Sequence, residues 1–289
     1  MSGELDFIAR LRDLPLHSGA RNLEDDCAIL EFGSETLVIT HDMIAEGTHW
    51  RPGQDMADVA WKLVAVNLSD LAAKGAEPVG VLLGHSLGDE DDRFLAGLRD
   101  VLETYGVALL GGDTIRSQGS RTIGLTAIGR ATHTPVPSRA GAQAGDAVFV
   151  TGVLGSAMMG FEALRDGTGE DSTAYRRPRP LLDEGIALAP VATAMMDVSD
   201  GLLLDASRLA AASSLTLDLL RDRIPVADAT RRDECIRWGD DYQLLFTAPP
   251  GADLPVPAVR IGTARGRGDA PLLLDGSPPD QGGKLGYEH

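Results

Sequence analysis

Two mixed α/β domains are what this sequence predicts, and three observations carry the expectation. Its 289 residues exceed one minimal domain and fit two of ordinary size, each able to bury its own core. Short apolar runs alternate with longer helical segments through both halves, the pattern of helices packed on sheets. Between Thr132 and Asp146 proline and glycine fall among alanine and serine, a composition suited to a connection. The expected domains are therefore 1–138 and 139–289.

Thr36 to Thr40 reads as the first clear strand. Asp58 to Ala76 reads as a helix, with Val59, Leu63, Val66 and Leu71 among its apolar positions and Pro78 just beyond its end. Val79–Leu83 is the next expected strand, Arg93–Tyr105 a helix, and Val107–Leu110 and Thr122–Ile128 further strands. In the second half Ala147–Thr151 reopens a strand, Pro180–Ala189 contains a helix, Ala194–Met196 is a short apolar run and Gly201–Ala212 is a helix. Strands are expected near Leu215–Leu219 and Gln243–Thr247, while the last forty residues, rich in proline and glycine, give no clear pattern.

Composition narrows the function. Hydrophobic residues make up 43% and charged residues 24%, as in globular proteins rather than disordered ones. Lys and Arg total 26 against 43 Asp and Glu, a net charge of −17, which disfavours nucleic acid and anionic membranes as partners. The same charge would repel a polyphosphate unless cations intervene, so phosphate chemistry here calls for a divalent metal. Two cysteines, Cys27 and Cys235, form no CxxC pair, which argues against structural zinc and a disulfide scaffold. No stretch approaches the roughly 20 apolar residues of a membrane span, and the expected location is the cytoplasm.

Aspartates recur where apolar runs give way to turns or helices. Asp42 follows Leu37-Val38-Ile39, Asp113 follows Val107 to Leu110, Asp197 and Asp200 follow Ala194-Met195-Met196, and Asp25-Asp26 precede Cys27 to Leu30. In open α/β sheets such carboxylates can converge beyond the carboxyl ends of strands. Singly, each fits a turn residue or helix cap better than a ligand; together they point to a centre for hard cations. Asp70 lies within the expected helix 58–76, where either metal binding or an i,i+4 pair with Lys74 fits. Asp200-Gly201 opens a helix whose first turn suits either a phosphate or a capping carboxylate. Thr151 to Gly155 lacks the lysine and hydroxyl of a P-loop and reads as a tight turn. Protein-kinase motifs and a GxSxG elbow are missing. Cys27 reads as a small buried hydrophobe rather than a nucleophile.

In order, Asp25-Asp26-Cys27-Ala28, Thr40-His41-Asp42 with His49, Val66-Asn67-Leu68-Ser69-Asp70-Leu71-Ala72-Ala73-Lys74-Gly75-Ala76, Gly111-Gly112-Asp113-Thr114, Asp197-Val198-Ser199-Asp200-Gly201-Leu202 and Gly239-Asp240-Asp241-Tyr242 resemble the motif series of the thiamine-monophosphate kinase family. The resemblance spans nearly the whole chain. It implies two domains of the aminoimidazole ribonucleotide synthetase-like superfamily, a homodimer whose N-terminal domains pair into a β-barrel, and transfer of the ATP γ-phosphoryl group to thiamine monophosphate. It also implies that Asp26, Thr40, His41, Asp42, Asp70, Asp113, Asp197 and Asp200 hold or surround several Mg2+ ions. Gly112, Asp113, Arg139 and Ser199 would contact ATP, and His49, Asp240 and Tyr287 would line the thiamine phosphate site, where an aromatic face and an acidic group suit a cationic thiazolium ring.

Three positions depart from the family pattern: Glu24 stands for a glycine, His41 for a threonine, and Trp238-Gly239-Asp240-Asp241-Tyr242-Gln243 for Gly-Gly-Glu-Asp-Tyr-Glu. Within the superfamily, residues 1 to 20 contain neither the cysteine nor the lysine of selenophosphate synthesis, and the chain ends without the terminal cysteine of the hydrogenase-maturation relative. Aminoimidazole ribonucleotide synthetase is the enzymatic alternative. A nucleotide sensor without turnover is the non-enzymatic one, against which the acceptor residues His49, Asp240 and Tyr287 argue. No side chain is marked as a covalent nucleophile, so direct transfer is expected.

Overall fold

The computed structural model describes residues 4–279 and 284–287, with side chains from residue 8 onward. In its first half, α1 (Glu4–Leu11), β1 (Ala28–Phe32), β2 (Glu35–Ala45), α2 (Met56–Ala73), β3 (Ala76–Ser86), α3 (Asp91–Tyr105), β4 (Ala108–Ile115) and β5 (Thr122–Ala131) follow one another. The second half contains β6 (Ala147–Val150), α4 (Ser156–Asp166), α5 (Thr173–Arg176), α6 (Leu182–Leu188), β7 (Ala194–Asp197), α7 (Leu202–Ala212), β8 (Leu215–Leu219), α8 (Arg232–Cys235), β9 (Leu244–Ala248), β10 (Val259–Gly266) and β11 (Leu272–Leu274).

Each half builds one sheet, in the orders β1-β2-β5-β3-β4 and β11-β8-β10-β6-β9-β7. Among the strands of the described residues, only β3 with β4 and β8 with β11 pair in parallel. The fold is thus mixed α/β with mostly antiparallel sheets, and of the aspartates expected beyond strand ends Asp197 ends a strand, whereas Asp42 lies inside one. The first sheet is open. Its edge strand β4 is exposed along all eight residues, and Met43, Val79, Leu82, Leu109, Leu110 and Ile115 face solvent. No closed barrel forms among the described residues.

Helix α2 is the axis of the molecule. Asp55 caps it by accepting a hydrogen bond from the Ala57 N–H at 2.9 Å, satisfying one of the first-turn donors. Every one of its residues but Trp61 is buried, because it packs on β2, β3 and β5 on one side and on α3, α6 and β7 on others. Leu63, Leu68 and Leu71 are fully buried, and each such side chain contributes roughly 1.5–3 kcal/mol of apolar burial. The helix ends at Ala73 rather than Ala76. Gly75 turns the chain with φ of 58°, the left-handed conformation glycine adopts without a steric penalty, and β3 begins immediately. Pro78 therefore lies inside a strand, beside the register shift between Pro78 and Gly80, where a missing N–H is tolerated.

Two other boundaries move. β2 runs five residues past Thr40 and β4 five past Leu110, so Asp42 and Asp113 are strand residues, not post-strand turns. α1, β1, α4, α5, α8, β10 and β11 answer to no expected element. One core cluster lies under the first sheet around Val59, Leu63 and Phe94, and a second lies between the other sheet and α7 around Leu203 and Leu209. Among the described residues no helix is long and apolar enough to cross a membrane.

Candidate active site

A cleft of about 1100 Å³ runs between the two halves, and its floor is acidic. β2 alternates its side chains, so Thr40 and Asp42 face α2 while His41 points to the opposite, exposed face, where its Nδ1 lies 2.9 Å from Thr126 Oγ1. The Asp42 N–H donates to Asn67 Oδ1 at 2.9 Å, tying strand to helix. One turn further along α2, Asp70 accepts a short hydrogen bond from the Thr40 hydroxyl. Between them Ser69 donates to Asp197 Oδ2 at 2.5 Å, bringing the last residue of β7 to the same place. Asp26, just before β1, completes the group. One carboxylate oxygen from each of Asp26, Asp70 and Asp197 lies within 4.8 Å of the others.

Lys74 does not pair with Asp70. Its fully buried ammonium donates to Asp25 Oδ1 at 2.7 Å and Asp26 Oδ2 at 2.6 Å, and Arg139 binds the other Asp26 oxygen. The two alternatives for Asp70 are thereby separated: it is a buried carboxylate among carboxylates rather than half of a surface pair. Burial pushes the Asp70 carboxyl well up, and the charges of Asp42, Asp197 and Asp26 push it further. Asp197 is raised to about 7 by burial and by Asp26, against the pull of the Ser69 hydroxyl. Asp25 behaves oppositely: burial raises it, but Lys74 and Arg21 outweigh that and hold it far below the usual carboxylate range. Crowded oxygen donors with raised proton affinity suit a hard divalent cation, which would supply the missing positive charge.

The segment after β7 is held from within its own helix. Asp205, in the first turn of α7, accepts hydrogen bonds from the Ser199 and Asp200 N–H groups at 3.1 and 3.0 Å. Asp205 thus fixes the turn that leads into α7, whose first-turn N–H groups receive no side-chain cap, while Asp200 pairs with Arg208. Gly201 has φ of 111°, and a Cβ there would lie 2.5 Å from the Arg237 carbonyl oxygen, so only glycine fits the turn. The Thr151–Gly155 turn is anchored by Asp241, which accepts from Gly155 N at 2.6 Å and Ala157 N at 3.2 Å and caps α4.

At the other end the cleft becomes aromatic. Phe161 lies 5.3 Å, centroid to centroid, from both Tyr175 and Trp238. The His49 carbonyl oxygen accepts from the Tyr175 hydroxyl at 3.2 Å, and Asp240 lies beside it; Tyr287 also lines the cleft, and its N–H donates to the Asp200 carbonyl at 2.8 Å. Asp240 and Tyr242 have φ of 65° and 50°, an uncommon backbone for such residues, and the Tyr242 hydroxyl donates to Asp240 Oδ1 at 2.9 Å.

The thiamine-monophosphate kinase of Salmonella typhimurium (strain LT2) is 36% identical over 277 residues, covering 86% of this chain and 83% of that protein. The chain belongs to the thiamine-monophosphate kinase family. The family relative from Haemophilus influenzae is 32% identical over 99% of this chain and 98% of its own. The family models for the AIR synthase related protein match at residues 24–131 for the N-terminal domain and 143–258 for the C-terminal domain. A solved structure described as AaThiL complexed with AMPPCP and TMP superposes with a TM-score of 0.87 at 27% identity, covering 99% of this chain and 97% of that one.

Of the positions singled out by family likeness, Asp26, Asp42, Asp70, Asp197, Asp200, Arg139, Ser199, His49, Asp240 and Tyr287 all line the cleft, and Thr40 supports it from behind. His41 does not, because it occupies the other phase of the strand. Gly112 and Asp113 lie on the exposed edge strand β4, outside the cleft of a single chain. Sequence reasoning passed over Ser69, Asp205, Arg208, Phe161 and Tyr175. Ser69 sat inside a quoted motif, and Asp205 lies four residues beyond Gly201 in an ordinary helical position. Phe161 and Tyr175 carried no local signal.

Proposed function

We propose that this chain transfers the γ-phosphoryl group of ATP directly to thiamine monophosphate, giving thiamine diphosphate and ADP, with magnesium held by the acidic floor of the cleft. The observation that carries this reading is the joining, in one cleft, of a crowded carboxylate group to an aromatic end bearing Asp240. The AMPPCP and TMP of the AaThiL complex are the ligands such a cleft would take.

Asp26, Asp42, Asp70, Asp197 and Asp200 are the residues that would hold the cations, with Thr40 fixing Asp70 from the strand. Bound Mg2+ would neutralise charge on the phosphate oxygens of donor and acceptor. Arg139 and Ser199 would bind the nucleotide. Phe161, Tyr175 and Trp238 offer ring faces for a thiazolium or pyrimidine ring, beside His49, Asp240 and Tyr287. The bond between the β–γ bridging oxygen and the γ phosphorus breaks, and an acceptor phosphate oxygen forms the new bond. That oxygen is already ionised at neutral pH, so no strong general base or protein nucleophile is required, and positioning is the main task.

The reading extends to a homodimer. Gly112 and Asp113 could serve the cation and nucleotide sites only if a second copy brings its β4 to this cleft, and the exposed apolar residues of the first sheet are suited to such pairing. The domain boundary near Ser138, between the two sheets, and a cytoplasmic location belong to the same proposal.

The test is a product-resolved assay. Purified protein with ATP, Mg2+ and thiamine monophosphate should form thiamine diphosphate, measured by chromatography, and excess chelator should abolish it. Equal or better turnover of unphosphorylated thiamine, or turnover only of the aminoimidazole ribonucleotide precursor, contradicts the acceptor assignment. Tight ATP binding with no turnover of any acceptor would favour a sensor.

A further inference from the structure

Lys62 takes no part in the scheme above, yet it is buried to 1% exposure on the α2 face nearest the aromatic end of the cleft. Its ammonium makes three contacts at once. It donates to the His49 carbonyl oxygen at 3.0 Å and to Asp240 Oδ2 at 2.8 Å, and it lies 4.1 Å from the centre of the Tyr175 ring. The same His49 carbonyl accepts from the Tyr175 hydroxyl at 3.2 Å, and the second Asp240 oxygen accepts from Tyr242. One buried cation therefore joins the His49 loop of the first half to Asp240 and Tyr175 of the second. A buried ammonium needs such partners to offset its lost hydration.

We propose that Lys62 is a positioning residue for the acceptor end of the cleft: it aims the Asp240 carboxylate, fixes the backbone at His49 and holds the Tyr175 ring, so that it sets affinity for the acceptor and not for ATP. The inference rests on the function proposed above and deepens it. Asp240 is not a bare carboxylate awaiting a cation. Lys62 and Tyr242 each occupy one of its oxygens, leaving the outward lone pairs in a fixed direction. Recognition of a cationic ring then falls largely to the aromatic faces, and the neutralised pair can stay in place when the acceptor phosphate arrives. Without Lys62, Asp240 would keep its charge in a partly buried place with one donor, and its already uncommon backbone conformation would lose its tie to α2.

The test is a split in kinetic constants with a mutant cycle. Lys62→Met keeps the length and apolar stem and removes the charge. KM for thiamine monophosphate should rise at least about tenfold, with KM for ATP within about twofold. Calorimetric titration of the Mg2+-loaded protein with thiamine monophosphate and, separately, AMPPCP should show the same split. Asp240→Asn should reproduce the acceptor defect, and the double variant should be no worse than the worse single one, since the two residues act as a unit. Equal losses for both ligands, additive losses, or an unchanged acceptor KM in a folded Lys62→Met protein would overturn the proposal. If Lys62→Met does not fold, Asp240→Asn decides, and unaltered acceptor binding there overturns it. Failure of the wild-type protein to turn over thiamine monophosphate would remove both the proposed function and this inference, whereas wild-type turnover with an unmoved acceptor KM removes this inference alone.

Discussion

Asp70 shows how a single residue can carry two readings that only packing separates. From spacing, Lys74 was as good a partner as a metal; in the fold Lys74 turns to Asp25 and Asp26 and leaves Asp70 among other carboxylates. Asp70→Asn and Asp42→Asn should each lower kcat at least about a hundredfold while circular dichroism and melting stay near wild type, because an amide keeps the volume but loses the charge that binds a hard cation. Unchanged turnover in Asp70→Asn would return it to a structural role. Lys74→Met should instead destabilise the fold by about 3–5 kcal/mol in denaturant titration, since two buried carboxylates lose their shared cation. The raised carboxyls add a pH dependence with a definite sign. Asp197 moves up from 3.8 to about 7 on folding, so the metal-free protein holds a proton there that its unfolded chain has lost. Its stability therefore falls as pH rises through that window, while apparent Mg2+ affinity climbs and binding releases protons. Calorimetry at pH 6 and 8, in buffers of different ionisation enthalpy, should find tighter binding and less proton release at the higher pH; pH-independent affinity contradicts the assignment.

At the scale of elements, strong apolar periodicity marked α2, α3 and α7 in the sequence, and their observed limits differ from expectation by three residues or fewer. Strand ends were less legible. His41 and Asp42 are polar, so β2 looked finished at Thr40, although alternation continues through Ile44 with the site on one face and solvent on the other. The mostly antiparallel pairing could not be read from runs of alternating elements, because a helix can connect strands of either sense. The aromatic end of the cleft was illegible for another reason: Phe161, Tyr175 and Trp238 come from separate segments and meet only through tertiary packing. Close approach between helices gives a further test. A Cβ on Gly97 of α3 would lie 2.2 Å from the Ala57 carbonyl oxygen of α2, so Gly97→Ala should force the helices apart and cost about 1–3 kcal/mol by overpacking, read as a lower melting temperature. A stability equal to wild type would mean that the helices do not pack this closely.

For the whole molecule, the cleft exists because α2 is shared. It lies under the first sheet, contacts α6 and β7 of the second half, and places Lys62, Asn67, Ser69 and Asp70 along a single rigid element with Lys74 at its C-cap. What one chain does not provide is the Asp113 edge, and the proposed pairing of sheets answers that. Sedimentation should give a dimer, and Leu110→Glu, which puts a charge on the exposed strand, should shift it toward monomer and lower turnover together; a fully active monomer contradicts a shared site. Direct phosphoryl transfer to thiamine monophosphate is tested most directly by a single-turnover reaction with γ-labelled ATP. Quenched at early times, the label should pass from ATP to thiamine diphosphate with no kinetically competent labelled protein, whereas label on a side chain, or release as inorganic phosphate without thiamine diphosphate, would contradict the account.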